Sequence, residues 1–248
     1  MLEGKQIGAL ILMAGEGKRL GNSVPKQFIP LGDKPVYRHT LETFLRVNFF
    51  DEILLVCHPD WVEKVREETG SLGVRVVSGG ETRQASSLLG LKGFSAPPEV
   101  VVIHDGVRPF VSEEILRKNA VDALRFGAVD TCIPSADTLV YAPGGREIAE
   151  IPHRADFLRG QTPQSFRWEL IVRAHEEALR RGTTATDDCR LVLDLGEPVH
   201  VVLGSETNIK ITTALDLIVA KQLMLSLTKS DTLKRDLKND KCDFKIPF

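Results

Sequence analysis

Short apolar runs alternate with amphipathic stretches along most of the chain. Six runs rich in apolar and β-branched residues predict strands, at residues 7–13, 52–57, 74–78, 100–104, 128–133 and 199–203. Stretches with helical spacing lie between and after them, at residues 35–47, about 60–70, 82–91, about 112–127, 168–181 and about 213–227. Alternating strands and helices imply right-handed crossovers, so we expect an α/β fold with a mostly parallel sheet and helices on both of its faces.

The alternation breaks after Asp137, where the sequence predicts a hairpin. Residues 138–141 and 147–151 flank Pro143-Gly144-Gly145, and two extended segments around such a turn are typical of a β-hairpin. We expect this arm to cover about residues 137–160. A hairpin that projects from a sheet buries little apolar surface by itself, so the arm needs another surface, which a partner subunit could supply.

The simplest organisation is one domain with the arm inserted into it. We find no internal repeat, low-complexity tract or linker within residues 1–228. Residues 229–248 are rich in charge and have no apolar pattern, so we expect them to form a loose C-terminal tail.

Composition narrows the classes of protein to which the chain can belong. Lysine and arginine number 32 against 34 aspartates and glutamates, which excludes a strongly basic nucleic-acid binder. The longest apolar run, residues 7–14, is much shorter than the about 18 residues that predict a membrane span. The 4 cysteines form no C-x-x-C pair, which argues against a zinc site or a disulfide framework. The first residues lack the layout of a signal peptide, so we expect a cytoplasmic protein that binds neither nucleic acid nor membrane.

The loop after the first predicted strand is the first candidate for chemistry, because ligands bind beyond the carboxyl ends of strands in open parallel sheets. This loop reads Ala14-Gly15-Glu16-Gly17-Lys18-Arg19, and Lys26 follows shortly after it. Closely spaced glycines let backbone N–H groups approach a phosphate, and the three cations beside them favour a polyphosphate ligand. The loop is not a Walker A sequence, and Leu20 stands where a dinucleotide fingerprint needs its third glycine.

Polar residues also follow later strands. Arg83 and Ser86 share one helical face behind a Gly-Gly pair that would let a flat base lie against the backbone. Asp105 ends a buried strand, where it can bind a sugar hydroxyl or a hard metal such as Mg²⁺. Arg108 offers a bidentate fork to a phosphate. Lys210 alternates with two isoleucines, so it faces a cleft if they face the core.

Taken in their order along the chain, these motifs resemble those of one enzyme family. The first glycine loop, GG-x-x-R, HD-x-x-RPF, D-T, an arginine followed by TPQ, and NIKIT occur together in the polyol-phosphate cytidylyltransferases. That family includes the 2-C-methyl-D-erythritol 4-phosphate and the ribitol-5-phosphate enzymes. The resemblance extends from about Ile7 to about Met224. It implies a single-domain, Rossmann-like fold with an inserted β-hairpin arm, and a homodimer in which the arm reaches the neighbouring subunit.

The resemblance also implies roles for the matching residues. Those expected to bind the nucleotide are Ala14, Gly15, Gly17, Gly80, Glu81, Ser86, Asp105 and Gly106. Those expected to act in catalysis on the triphosphate are Arg19, Lys26 and Lys210. Those expected to hold the polyol phosphate, partly across a dimer interface, are Arg108, Thr138, Arg154, Thr162 and Thr212. Asp105 is also the expected Mg²⁺ ligand.

The implied reaction transfers CMP from CTP to 2-C-methyl-D-erythritol 4-phosphate and releases pyrophosphate, in isoprenoid precursor synthesis by the non-mevalonate pathway. The second pKa of a phosphate monoester is about 6, so the substrate phosphate is a dianion near pH 7 and needs no general base. It would attack the α-phosphorus of CTP in line. Mg²⁺ and fixed cations would neutralise the charge on the α-phosphate and the leaving group.

Three other interpretations stay open on the sequence alone. Thr207 stands where many methylerythritol enzymes have Asp, and residues 161–166 look like the ribitol type, so the acceptor could be D-ribitol 5-phosphate in wall or capsule synthesis. Asp60, after the second strand, keeps an NAD-binding Rossmann protein as a distant alternative. A non-catalytic nucleotide-binding relative is the third.

Overall fold

The computed structural model describes residues 2–15 and 24–239, with the backbone alone for residues 228–239. Within this part of the chain the strands are β1 (Ile7–Met13), β2 (Pro30–Leu31), β3 (Lys34–Pro35), β4 (Glu52–Cys57), β5 (Arg75–Ser78), β6 (Val100–Asp105), β7 (Ala128–Pro134), β8 (Leu158–Arg167) and β9 (His200–Leu203). The α-helices are α1 (Val36–Arg46), α2 (Val62–Thr69), α3 (Arg83–Lys92), α4 (Glu113–Phe126), α5 (Trp168–Arg181), α6 (Asp188–Asp194) and α7 (Ala214–Asn239).

Seven of the strands form one sheet in the order β5-β4-β1-β6-β8-β7-β9. β1 pairs in parallel with β4 and β6, β4 pairs in parallel with β5, and β7 pairs in parallel with β9. The prediction of a mostly parallel α/β sheet is therefore confirmed. The chain runs from β1 outward to β4 and β5 and returns to β6 on the other side of β1. This switch brings the ends of β1 and β6 together, where open sheets bind ligands.

Alternate side chains of β1 pack into two separate cores. Ala9, Ile11 and Met13 pack in one cluster with residues of α1, α2 and α4. Leu10 and Leu12 pack in the other with residues of α3, α5 and α6. Successive side chains of a strand point to opposite faces, so a strand between two helical layers needs the continuous apolar run seen in this segment.

The sequence analysis missed β8, which is antiparallel to both β6 and β7. This strand lacks an apolar run, and its buried polar side chains are Gln161, Thr162, Gln164 and Ser165. Hydrogen bonds inside the fold satisfy them; Gln164 Nε2, for example, donates to Asp130 Oδ1 at 3.1 Å. Helix α6 and the short β2–β3 pair were not predicted either.

The arm reverses at the predicted turn, but its two sides pair at a single point. Gly144 and Gly145 have φ values of +85° and +72°, which favour glycine. Tyr141 and Glu150 form an isolated antiparallel bridge instead of part of two regular strands. Several apolar side chains of the arm are more than half exposed, namely Val140, Tyr141, Ile148 and Ile151. The arm has little surface in its own subunit to pack against, which explains why regular strands do not form.

The last helix is longer than predicted. We expected it to end near Leu227, but α7 continues to Asn239, so the first part of the predicted loose tail is helical. Residues 229–239 contain neither proline nor glycine and include several lysines and leucines, which favour helix even without an apolar face. Residues 240–248 lie outside the described part. No helix in the described part combines the length and the apolar character needed to cross a membrane.

Candidate active site

A cavity of about 340 Å³ opens where β1 and β6 end. The predicted site residues that line it are Ala14, Gly15, Lys26, Gly80, Glu81, Ser86, Asp105 and Lys210. Arg83, which the sequence singled out together with Ser86, also lines the cavity, and so do Gln27, Thr82 and Thr186, to which the sequence assigned no role. Gly17 and Arg19 fall on residues 16–23, outside the described part. Among the described residues, the fold thus brings six separate segments of the chain to one cavity.

Gln27 ties the segment that carries Lys26 to the end of β1. Its side chain is buried in a short 3-10 helix, Lys26–Phe28. Gln27 Nε2 donates to the carbonyl oxygens of Met13 at 2.8 Å and Gly15 at 3.0 Å. One amide group therefore fixes both sides of the predicted phosphate-binding loop. A single glutamine carries no motif of its own, which is why sequence reasoning overlooked it.

The Gly-Gly pair after β5 packs directly against the first loop. A Cβ placed on Gly79 would lie 2.4 Å from the Cβ of Ala14, a distance that atoms do not tolerate. Ser86 Oγ accepts from Gly80 N at 3.1 Å and donates to Gly80 O at 3.2 Å, so it holds this turn closed. The close approach brings the backbone of Gly80 to the cavity, and base binding by this segment stays a prediction.

Asp105 lies at the centre of three cations. Lys210 Nζ is 2.8 Å and Arg108 Nε is 3.4 Å from Asp105 Oδ2, whereas Arg83 Nε is 3.8 Å from Oδ1. Burial by itself would raise the pKa of Asp105, but Lys210, Arg83 and Arg108 outweigh burial and hold the pKa well below its usual range. Asp105 is therefore an anion at any physiological pH.

Lys210 has the orientation predicted from its alternation with two isoleucines. Ile211 is fully buried in a third apolar cluster, and Ile209 packs against that cluster. Lys210 lines the cavity, and its side chain is 38% exposed. A ligand can therefore reach this ammonium group without unfolding the segment.

Arg108 lies behind Asp105 and is not among the residues that line the cavity. It is buried, and its Nη1 donates to the carbonyl oxygen of Asn208 at 2.8 Å. Asn208 Nδ2 in turn donates to Thr162 O at 2.8 Å. The guanidinium group of Arg108, which was predicted to bind a phosphate, instead links the end of β6 to the segment that carries Lys210 and, through Asn208, to β8.

Thr162 supports Asp105 from the interior. Its hydroxyl accepts from Asp105 N at 3.1 Å and contacts His104 Nδ1 at 3.0 Å. His104 Nε2 lies 3.2 Å from Arg108 O, which can only accept, so Nε2 carries the proton and Thr162 donates to Nδ1. Burial lowers the pKa of His104 to about 4, which keeps the imidazole neutral. Thr162 is buried, and its hydroxyl is engaged by these two groups.

The other predicted substrate residues lie apart from the cavity. Thr138 and Arg154 are exposed on the arm, where Arg154 Nη1 donates to Ala136 O at 2.9 Å. Thr212 donates from its hydroxyl to Asp216 Oδ2 at 2.8 Å at the start of α7. Gly106 lies next to the cavity and donates from its N–H to Leu12 O at 2.8 Å. Within the described chain, the arm residues and the cavity therefore do not meet.

The carboxylates at the cavity suit a metal held mainly by phosphates. In the described part of the chain, no group of three or more His, Cys, Asp and Glu side chains could hold a metal ion by itself. Of the lining residues that the structure describes, Asp105 and Glu81 are the acidic ones. Mg²⁺ in nucleotide enzymes is typically bound by one or two carboxylates together with substrate phosphates, and this donor set fits that pattern.

Comparison with known proteins places this architecture in a defined family. Residues 7–226 match the family described as 2-C-methyl-D-erythritol 4-phosphate cytidylyltransferase. The chain is 39% identical to an enzyme of that name from Geotalea uraniireducens, over 90% of this chain and 98% of the relative. It is 37% identical to a ribitol-5-phosphate cytidylyltransferase from Lactiplantibacillus plantarum, over 88% and 98%.

Solved structures agree with the sequence comparison. The crystal structure of 4-diphosphocytidyl-2C-methyl-D-erythritol synthase from Anaerococcus prevotii superposes with a TM-score of 0.82 at 34% identity, covering 90% of this chain and 98% of that one. The Thermus thermophilus 2-C-methyl-D-erythritol 4-phosphate cytidylyltransferase gives a TM-score of 0.74 at 35% identity, covering 88% and 98%. With its matching fold and motifs, the chain belongs to the 2-C-methyl-D-erythritol 4-phosphate cytidylyltransferase family of nucleotidyltransferases.

Proposed function

We propose that this protein transfers CMP from CTP to 2-C-methyl-D-erythritol 4-phosphate and releases pyrophosphate, a step of isoprenoid precursor synthesis. The observation that carries the proposal is the meeting of Lys26, Lys210 and Asp105 between two glycine-rich segments at the end of β1 and β6. Among the described residues, the charged side chains that line the cavity are three cations, these two lysines and Arg83, against the carboxylates of Asp105 and Glu81. This excess of positive charge suits a triphosphate.

The chemistry requires positioning and charge neutralisation more than proton transfer. The substrate phosphate is a dianion near pH 7, because its second pKa is about 6. One of its oxygens attacks the α-phosphorus of CTP, the bond from that phosphorus to the β-phosphate oxygen breaks, and pyrophosphate leaves with the electron pair. Lys26 and Lys210 supply fixed positive charge to the α-phosphate and the leaving group. His104 is buried and neutral, and it takes no part in this step.

Asp105 is the residue that we propose as the protein ligand of Mg²⁺. When bound there, the ion would supply Lewis-acid charge that offsets the negative charge developing on the phosphates. Asp105 is held in its ionised form by the surrounding cations, as a ligand of a hard cation must be. Ala14, Gly15, Gly80, Glu81 and Ser86 are proposed to hold the base and phosphates, with Gly17 and Gly106 completing this set. Arg19 is proposed to act in catalysis together with Lys26 and Lys210.

We propose further that the active protein is a homodimer in which the arm of one subunit completes the site of the other. The exposed apolar side chains of the arm and the separation of Arg154 from the cavity support this arrangement. Mixing experiments test it. Arg154→Ala and Lys26→Ala proteins, each impaired, should regain on the order of a quarter of wild-type activity when mixed, since half of random dimers contain one site with both side chains. No recovery after subunit exchange would contradict the shared site.

The runner-up acceptor is D-ribitol 5-phosphate. The 37% identity to a ribitol-5-phosphate cytidylyltransferase favours keeping this candidate. Initial rates of pyrophosphate release, with CTP, Mg²⁺ and each phosphate in turn, separate the two. A larger kcat/KM with the methylerythritol substrate supports our assignment, and a larger value with ribitol phosphate replaces it while leaving the same site roles. No release with either substrate would contradict the proposed function.

We assign the enzyme to the cytoplasm as part of the same proposal. Cys57, Cys132 and Cys189 are free and buried, which suits a reducing compartment. Fractionation of the source cells, with detection of the protein by antibody, tests the assignment; recovery outside the cytoplasmic fraction would refute it.

A further inference from the structure

Behind the cavity wall lies a buried cluster of Arg83, Asp188 and His175. Arg83 opens α3, Asp188 opens α6, and His175 lies in α5. Arg83 Nη1 is 2.7 Å from Asp188 Oδ2, and His175 Nε2 is 3.1 Å from Asp188 Oδ1. Asp188 and His175 are fully buried. The cluster therefore joins the helical layer to a residue of the cavity lining.

Arg83 stands between two carboxylates and bonds only one of them. Its Nη1 is within hydrogen-bond distance of Asp188, whereas its Nε remains 3.8 Å from Asp105 Oδ1. Lys210 and Arg108 both approach the other oxygen, Oδ2. The oxygen of Asp105 that faces Arg83 is thus the less engaged of the two.

The remaining amino group of Arg83 is also unused. Nη2 is buried and has no hydrogen-bond acceptor among the described residues. A buried guanidinium N–H without an acceptor is costly. Arg83 lines the cavity and its side chain is 23% exposed, so a bound nucleotide can contact it, and a small shift of the guanidinium group would offer Nη2 an acceptor.

Stability alone does not account for the cluster. Burial by itself would raise the pKa of Asp188, but Arg83 and His175 outweigh burial and lower it to about 2, so Asp188 is ionised. A buried ion pair often stabilises a protein no more than apolar residues of the same volume would. A positioning role gives such a pair a function that apolar residues cannot provide.

We propose that Asp188, oriented by His175, is a positioning residue that holds Arg83 at the cavity wall and away from Asp105. In this position Arg83 directs a donor to the bound nucleotide and leaves Asp105 Oδ1 available. The inference rests on the proposed function, because the ligand that it serves is CTP. If Asp188 loses its charge, Asp105 becomes the nearest carboxylate to Arg83, and the guanidinium moves towards it.

A double-mutant cycle tests the inference, with Asp188→Asn, Arg83→Gln and the double variant. Asp187→Asn is the matched control, because it removes the neighbouring charge while asparagine still caps α6. Calorimetric titration with CTP in EDTA gives nucleotide affinity without metal or turnover, and steady-state rates give KM for each substrate. A melting curve of each variant reports folding.

We expect Asp188→Asn to weaken CTP binding and raise KM for CTP by about tenfold or more, as misplacement of a contact by about 1 Å can cost up to about 10²-fold. KM for the polyol phosphate should change little. Asp188→Asn should add no further loss to Arg83→Gln, because it acts through Arg83. Additive losses in the double variant, an equal loss in Asp187→Asn, or equal rises in both KM values would overturn the inference.

Asp188→Glu replaces Asp188→Asn in the cycle if the latter does not fold. It keeps the charge but displaces Arg83 by about one methylene, and the same lack of additivity is expected. Wild-type turnover distinguishes a failure of the proposed function from a failure of the role of Asp188. Wild-type protein that neither binds CTP nor releases pyrophosphate refutes the proposed function, whereas active wild type with an additive cycle refutes only the role of Asp188.

Discussion

The ammonium group of Lys210 lies 2.8 Å from Oδ2 of Asp105, so the segment before the last helix closes over the end of β6. This ion pair is only partly buried on the lysine side, where the side chain is 38% exposed. A bound triphosphate would compete with Asp105 for the same ammonium group. Lys210 is therefore held in place by Asp105 before a ligand arrives, and the site needs little reorganisation to receive one.

Lys26→Ala should reduce kcat by about 10²–10³, the usual cost of losing one preorganised electrostatic donor at a transition state. Lys26 lines the cavity at the end of the first loop. Steady-state pyrophosphate release measures the effect. Lys92→Ala, at an exposed position at the end of α3, is the control and should retain wild-type kcat. A fully active Lys26→Ala protein would remove this residue from the mechanism.

Thr162→Val should destabilise the protein by about 1–3 kcal/mol, because it leaves the buried N–H of Asp105 without its acceptor. The same change removes the donor to His104 Nδ1. Urea unfolding of the wild type and the variant gives the difference in free energy. Thr162→Ser keeps the hydroxyl, so its free energy of unfolding should fall much less. Equal stability of the valine and serine variants would show that these hydrogen bonds are not important.

Gly79→Ala should impair folding stability and nucleotide binding together. The added Cβ would lie 2.4 Å from Ala14 Cβ and 3.0 Å from Ser86 Oγ, so the two loops would have to separate. Overpacking of this kind costs about 1–3 kcal/mol. Gly70→Ala is the control, since a Cβ there meets no atom within 4 Å. Thermal melts and CTP titrations compare the two, and unchanged CTP affinity in Gly79→Ala would argue against close packing of these loops.

Asp130→Asn should stabilise the protein above pH 6. Burial raises the pKa of Asp130 to about 6, and the charge of Asp187 adds to that rise. Between about pH 3.9 and pH 6 the folded chain keeps a proton that the unfolded chain releases, so wild-type stability falls as the pH rises through this window. Above this pH window, the ionised Asp130 carboxylate lowers the free energy of unfolding by at most about 3 kcal/mol, as expected for a pKa raised by about 2.

Chemical unfolding at pH 4, 5, 6 and 7.5 checks this pH dependence. The free energy of unfolding of Asp130→Asn should rise relative to that of the wild type as the pH increases, and the two values should converge near pH 4. Asp60→Asn, at a mostly exposed position, should follow the wild-type profile. A constant difference between Asp130→Asn and wild type at every pH would contradict the raised pKa.

The sequence was enough to predict the parallel part of the sheet because its strands read as apolar runs, most clearly in β1, which has a helical layer on both sides. It was not enough for β8, because Gln161, Gln164 and Ser165 become buried by bonding to partners far away in the chain. The local pattern of apolar and polar residues does not reveal such distant partners.

In the candidate site too, local features were predicted from the sequence, whereas features that depend on distant contacts were not. Asp105 and the glycine pair were predicted because a strand end and a tight turn are local features. The contact of Arg83 with Asp188 joins α3 to α6, which was itself not predicted, so no sequence pattern could reveal it. Arg108 was recognised as a charged residue in a useful loop, but its position behind Asp105 depends on Asn208, 100 residues away.

The most direct test of the account is ³¹P NMR of wild-type protein with CTP, Mg²⁺ and 2-C-methyl-D-erythritol 4-phosphate labelled with ¹⁸O in its phosphate. We predict that the CTP signals are replaced by equal amounts of pyrophosphate and a cytidine diphosphate ester. The bridging oxygen of that ester should carry the label, because the substrate phosphate is the nucleophile. Hydrolysis of CTP to unlabelled CMP, or no consumption of CTP, would contradict cytidylyl transfer at this site.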